Sequence, residues 1–212
     1  MGYQVSCEKN FLEGHQQMIV YLGMPKCAST WIWERIKHNF DYNGPKEPHT
    51  LVEKGQINNT LIDFSTNNWS MDSSTAKEID VSVSNYIFII RDPVELAISY
   101  YKQTAMPNES FNDFVYSLIR TKVLCFGDII ERWYNLVDKN KILIYDYNKD
   151  IENNQELFMD DLCGKLNLPN YDKTVHLQHR VAETVNKPNL KCDVKFLDQL
   201  KGQMDKFHNI VE

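Results

Sequence analysis

A chain of 212 residues, 42% hydrophobic and 25% charged, holds enough apolar side chain for one buried core, too little for two, and too much for long disorder. With 23 Lys and Arg against 29 Asp and Glu, the net charge of −6 argues against a general binder of nucleic acid or of anionic membranes. The five cysteines (Cys7, Cys27, Cys125, Cys163 and Cys192) are odd in number and form no CxxC pair. They argue against a disulfide framework or a structural zinc site, predict no metal centre, and suit free thiols in a reducing, cytoplasmic setting.

Residues 1–17 are polar and predict a loose lead-in without the apolar region of a signal peptide. No run of about eighteen apolar residues, the length that would predict a membrane-spanning helix, occurs in the chain. Met1-Gly2 with Ser6 has the shape of an N-myristoylation signal, in a pattern short enough to arise by chance.

Residues 18–22 (MIVYL) predict a buried strand, 23–30 (GMPKCAST) a small-residue loop, and 30–40 a helix with Trp31, Ile32, Ile36 and Phe40 as its apolar face. Residues 41–59 carry Gly44, Pro45, Pro48 and Gly55 and predict loop. A strand is expected at 60–64, a short helix at 76–83, and a strand at 86–90 (YIFII). Pro93 suits the first turn of a helix running through Lys102. Helices follow at 111–122 and 127–138, a strand at 141–145, and helices at 155–166 and 194–207. Short apolar strands alternating with helices predict a single three-layer α/β/α domain with a central, mostly parallel sheet of four to five strands.

Strand, small-residue loop and helix together form the local architecture that cradles phosphate. Ala28, Ser29 and Thr30 would present backbone N–H groups at a helix N-terminus, and Gly23 permits a tight approach of the backbone. A Walker A loop places its lysine directly before Ser or Thr, whereas Lys26 sits three residues after Gly23 and reaches an anion from another side. That spacing weakens a kinase or NTPase reading. A phosphatase would need Cys-x5-Arg, but Trp33 occupies the arginine position, which leaves Cys27 as a small space-filler.

Arg91 sits at the tip of the strand at 86–90, and Ser99 lies about two helical turns further on. Arg91 can fork onto a phosphate with Ser99 adding a hydrogen bond, or it can pair with Asp92 or Glu95. Two anion sites on neighbouring strand ends suggest a ligand with two phosphate groups.

The two segments together resemble the sulfotransferases that use 3′-phosphoadenosine 5′-phosphosulfate (PAPS). Pro25-Lys26-Cys27-Ala28-Ser29-Thr30-Trp31 is similar to that family's 5′-phosphosulfate loop, P-K-x-G-T-T-W. Arg91-Asp92-Pro93, followed by Ala97, Ser99 and Tyr101, is similar to its 3′-phosphate motif. KEPHTL (46–51) resembles the segment bearing the catalytic glutamate in the glycan-modifying branch. IDFSTNNW (62–69) and ILIYDY (142–147) resemble later family stretches, so the similarity spans residues 18–168. The chain departs from the pattern at Ala28, where glycine is usual, at Asp63, where glutamate is common, and in lacking the late R-K-G motif.

The resemblance implies a P-loop-like fold that binds PAPS and releases PAP. Lys26 would face the bridging oxygen and the departing phosphate. Ser29, Thr30 and the loop residues Pro25, Cys27 and Ala28 would hold the 5′-phosphate, and Trp31 would stack near adenine. Arg91 and Ser99 would hold the 3′-phosphate and so distinguish PAPS from ATP. Lys187 is a further candidate donor contact, or else a solvated lysine. Glu47 is the first candidate for the acceptor's general base and His49 the second, whose ordinary pKa lies near neutrality. The acceptor is expected to be a glycan-like or small-molecule hydroxyl, a phenol or an amine. The chain is short for the family, so the acceptor cleft is expected to be open or completed by a second subunit of a homo-oligomer. The alternatives are a P-loop nucleotide kinase or NTPase, and a non-catalytic PAP-binding module.

Overall fold

The computed structural model describes residues 17–40, 42, 44, 55–57, 60–106, 108–168 and 190–212. Strand β1 (Gln17–Tyr21) leads through a turn into helix α1 (Ser29–Phe40). Strands β2 (Gly55–Ile57) and β3 (Thr60–Asp63) follow, then a 3-10 turn at Asn68–Ser70 and helix α2 (Ser73–Asp80). Strand β4 (Val83–Ile90) precedes helices α3 (Pro93–Thr104), α4 (Phe111–Arg120) and α5 (Phe126–Leu136). Strand β5 (Ile142–Asp146) runs into a wide helical turn at Tyr147–Glu152, and helices α6 (Gln155–Lys165) and α7 (Val194–Val211) close the order.

The sheet order is β2-β3-β1-β4-β5, with β3, β1, β4 and β5 parallel and β2 antiparallel to β3. Parallel strands are covered on both faces, and Val20, Tyr21 and Ile87 to Ile89 are accordingly buried. Side chains alternate along each strand. Tyr86 and Phe88 turn to one face, where Tyr86 meets Trp133 of α5 and Phe88 meets Phe126 and Phe207 of α5 and α7. Tyr145, paired in register with Ile89, turns to the other face and packs on Phe158 of α6, which also carries Trp31 of α1. This is the expected α/β/α arrangement.

Strand β1 connects leftward to β3, while β4 lies on its other side and connects onward to β5. The chain therefore reverses its direction of winding between β1 and β4, and the crevice beyond their carboxyl ends is where such sheets bind ligands.

Several boundaries differ from expectation. The short helix lies at Ser73–Asp80 because Asp72 caps it, accepting from the N–H groups of Ser74 and Thr75, and Val83 opens β4 instead. The stretch read as loop at 41–59 contains β2, a three-residue edge strand too short to show apolar alternation. Helix α1 begins one residue early, at Ser29.

Helices α5 and α7 approach closely at Gly127, where a Cβ would lie 2.6 Å from the Gln203 carbonyl oxygen. Beside it, Asp128 accepts from Lys122 Nζ at 2.7 Å, Lys206 Nζ at 2.9 Å and Gln203 Nε2 at 3.2 Å. Partial burial pushes its carboxyl upward, but the three donors outweigh this and bring its pKa down to about 2. A depressed carboxylate contributes stability above its ordinary pKa of 3.8 and loses it as pH falls through about 2. Urea unfolding should therefore show a shallower loss of stability between pH 4 and pH 2 for Asp128→Asn than for the wild type. Parallel curves would remove this network from the acid response.

Candidate active site

Strand β1 delivers the loop into the crevice. Leu22 extends the β1–β4 ladder by donating its N–H to Ile87 O at 2.7 Å. Gly23 is required by contact, since a Cβ there would sit 2.1 Å from the Tyr21 ring. The N–H of Cys27 closes a turn onto Met24 O at 3.2 Å, and Ala28 O accepts the first α1 bond, from Ile32 N at 2.9 Å. The N–H groups of Ser29, Thr30 and Trp31 thus have no carbonyl one turn back, as at any helix start. Lys26 and Ala28 take left-handed φ values of 69° and 65°. Alternation of this kind gathers successive N–H groups into an anion-binding concavity.

Lys26 is half-buried and Thr30 exposed, while Ser29 is buried at the helix start. Cys27 is fully buried and its thiol is pushed up to about 12 by burial, although the charge of Arg91 and the bond with Met24 pull the other way. It is a protonated space-filler. Its N–H is committed to the turn, so any contact of Cys27 with a donor would have to come from its other atoms.

Trp31 lies on the buried side of α1. Its ring is 6% exposed, packs on Phe158 at 6.0 Å between centroids, and lies under the Arg35 guanidinium at 5.2 Å. Helical register places it on the core face with Ile32 and Ile36.

Arg91 follows β4 and is 9% exposed. Its Nη1 donates to the Lys26 carbonyl at 3.0 Å, which joins the two loops across the crevice. Its Nη2 stands 3.9 Å from Glu95, its guanidinium carbon lies 4.2 Å from the centre of the Tyr147 ring, and its Nε is buried with no partner among the described residues. Asp92 instead caps α3, accepting from Glu95 N at 2.8 Å with Pro93 in the first turn. Ser99 lies two turns along α3 and is half-buried. A nearly buried guanidinium held by a backbone carbonyl and an aromatic face keeps its charge at the crevice, where anions are attracted.

Other elements support this site. Asn68 Nδ2 donates to Tyr21 O at 3.2 Å, fixing the end of β1. The Asn68–Ser70 turn is held in place by α5, since Trp69 O accepts from Arg132 at 2.9 Å and from Trp133 at 3.1 Å. Asn148 donates to Glu95 at 3.0 Å, tying the turn after β5 to α3. Asp63 is buried at the end of β3 and accepts from Ser65 N at 2.9 Å. Glu47, His49 and Lys187 lie outside the described residues.

The sequence profile described as "Sulfotransferase family" matches residues 9–187. The chain belongs to the sulfotransferase family. No curated protein matches it significantly. Among solved structures, a sulfotransferase from Alicyclobacillus acidocaldarius aligns with a TM-score of 0.61 at 11% identity, covering 91% of this chain and 94% of that one. The sulfotransferase domain from the curacin biosynthetic pathway aligns at 0.52 with 12% identity, covering 73% and 75%. The mouse sulfotransferase SULT7A1 complexed with PAP aligns at 0.51 with 17% identity, covering 80% and 67%. At these identities the structural likeness speaks for the fold. No helix among the described residues of this sulfotransferase is long and apolar enough to cross a membrane.

Ala28 has a left-handed φ of 65° at the one loop position where glycine was expected. Ala28→Gly should therefore stabilise the sulfotransferase by about 0.5–1 kcal/mol, the left-handed cost of about 1–2 kcal/mol less the extra unfolded-chain entropy of glycine. The urea midpoint measures this, and an unchanged or lower midpoint would mean that the loop carries no such strain.

Proposed function

We propose that this sulfotransferase acts as a single domain that takes PAPS as donor, releases PAP, and passes the sulfuryl group to an acceptor hydroxyl or amine. The observation that carries this reading is the 3.0 Å hydrogen bond from Arg91 to the Lys26 carbonyl. It sets a helix N-terminus with a lysine beside a buried arginine, which suits one ligand bearing two anionic groups. The buried Nε of Arg91, without a described partner, also fits a site completed by an anion. A relative of the same fold was solved with PAP.

The donor supplies an activated sulfuryl group on a phosphate leaving group. In this proposal the N–H groups of Ala28, Ser29 and Thr30, with the two hydroxyls, hold the 5′-phosphate. Lys26 neutralises the charge that builds on the bridging oxygen as its bond to sulfur breaks and the acceptor's bond to sulfur forms. Arg91 and Ser99 hold the 3′-phosphate. The proton leaving the acceptor passes to a base, for which Glu47 is proposed first and His49 second. Lys187 is proposed as a further donor contact. A glycan-like or small-molecule alcohol or amine is the proposed acceptor. The described cysteines are free thiols, in keeping with a proposed cytoplasmic location.

A saturating ligand of about 100 times its Kd stabilises by about 2.7 kcal/mol, enough to raise Tm by roughly 5–10 °C in a chain of this size. PAP should produce such a shift and ATP should not; equal shifts would favour a general nucleotide site. Sulfate transfer from PAPS to pooled carbohydrate, phenol and amine acceptors should be detectable and should fall at least about a hundredfold in Lys26→Ala. Binding of PAP without transfer to any acceptor would favour a non-catalytic module.

A further inference from the structure

We propose that Tyr21 is a positioning residue for the donor loop, its hydroxyl aiming the first backbone N–H of the anion cradle. This rests on the donor reading above. Tyr21 ends β1 and is fully buried, packed 6.3 Å from the Phe64 ring. Its neighbours in the strand are aliphatic and its hydroxyl adds nothing to apolar packing, so a polar partner must satisfy it. That partner is the Cys27 carbonyl, six residues on and inside the loop, to which the Tyr21 hydroxyl donates.

The consequence follows from peptide geometry. In a planar trans peptide, a carbonyl and the next N–H point in opposite directions. Drawing the Cys27 carbonyl inward to Tyr21 turns the Ala28 N–H outward, and no hydrogen bond uses that N–H among the described residues. The neighbouring Lys26 carbonyl is held in turn by Arg91. Two successive carbonyls are thus captured from two different strands, one by the end of β1 and one from the end of β4. The capture spans a stretch in which Lys26 and Ala28 both hold left-handed φ values, a geometry that persists only where its surroundings impose it. Gly23 is the matching feature. The Tyr21 ring passes over it, and a Cβ there would lie 2.1 Å from both the ring carbon bearing the hydroxyl and the hydroxyl oxygen. Glycine at 23 therefore allows the ring to reach the loop.

Tyr21→Phe keeps the ring and deletes the hydroxyl. In the unliganded full chain, hydrogen exchange of loop amides at 22–31 should rise by about tenfold, with β4 and β5 amides unchanged. PAP should bind about tenfold more weakly by calorimetry, and KM for PAPS should rise while KM for the acceptor holds, because misplacing a positioning group costs donor binding. Phe88→Leu, in the core on the opposite face of the sheet, serves as the comparison. It should lower Tm without changing loop exchange or PAP affinity, as a purely structural role for Tyr21 would. Unchanged loop exchange in Tyr21→Phe overturns the proposal, as does faster exchange with wild-type PAP affinity. If the wild type itself fails to bind PAP, the donor reading falls, and the exchange measurement alone decides whether Tyr21 holds the loop.

Discussion

The hydrogen bond from Arg91 to the Lys26 carbonyl spans the point where the sheet changes its direction of winding. Everything about the candidate site depends on it. Strand β1 brings the 23–30 loop to the crevice, strand β4 brings an arginine, and parallel register sets both at the same height. Without that bond the two would be independent surface features. With it, the loop's shape and the arginine's position are one structural fact.

Such a loop is not self-supporting. Two left-handed residues without glycine store strain, of about 1–2 kcal/mol each by hard-sphere argument, and the surrounding fold offsets it. The supports come from far along the chain. Tyr21 acts from the end of β1, Asn68 from the turn after β3, and α5 holds that turn through Arg132 and Trp133. Tyr147, in the turn after β5, covers the Arg91 guanidinium, while Asn148 anchors Glu95 beside it. The loop geometry is thus a property of the whole sheet and its carboxyl edge.

This explains what sequence reasoning could reach. Lys26 and Arg91 stand in local patterns of small residues and strand ends, so their placement was legible, as were the parallel strands and most helices. Tyr21 was not, because within MIVYL its hydroxyl is invisible to an apolar count, and its partner depends on how the next six residues turn. Trp31 shows two sides: its place in a motif suggests a ligand contact, and the register of α1 buries most of it with Ile32 and Ile36. Cys27 was legible as a space-filler, but its N–H commitment to Met24 needed three dimensions. The edge strand β2 and the start of α2 turn on short-range geometry, three residues in one case and an Asp72 cap in the other, that apolar periodicity does not encode.

A crevice proposed to read two phosphates at once is probed least disruptively at Ser99, which is not among the loop's supports. Calorimetric titration with PAP and with adenosine 5′-phosphate tests the claim directly. The wild type should bind PAP at least about tenfold more tightly, the worth of one charge-assisted contact to the second phosphate, and Ser99→Ala should narrow the gap without weakening adenosine 5′-phosphate binding. Equal affinities for the two nucleotides in the wild type would contradict it.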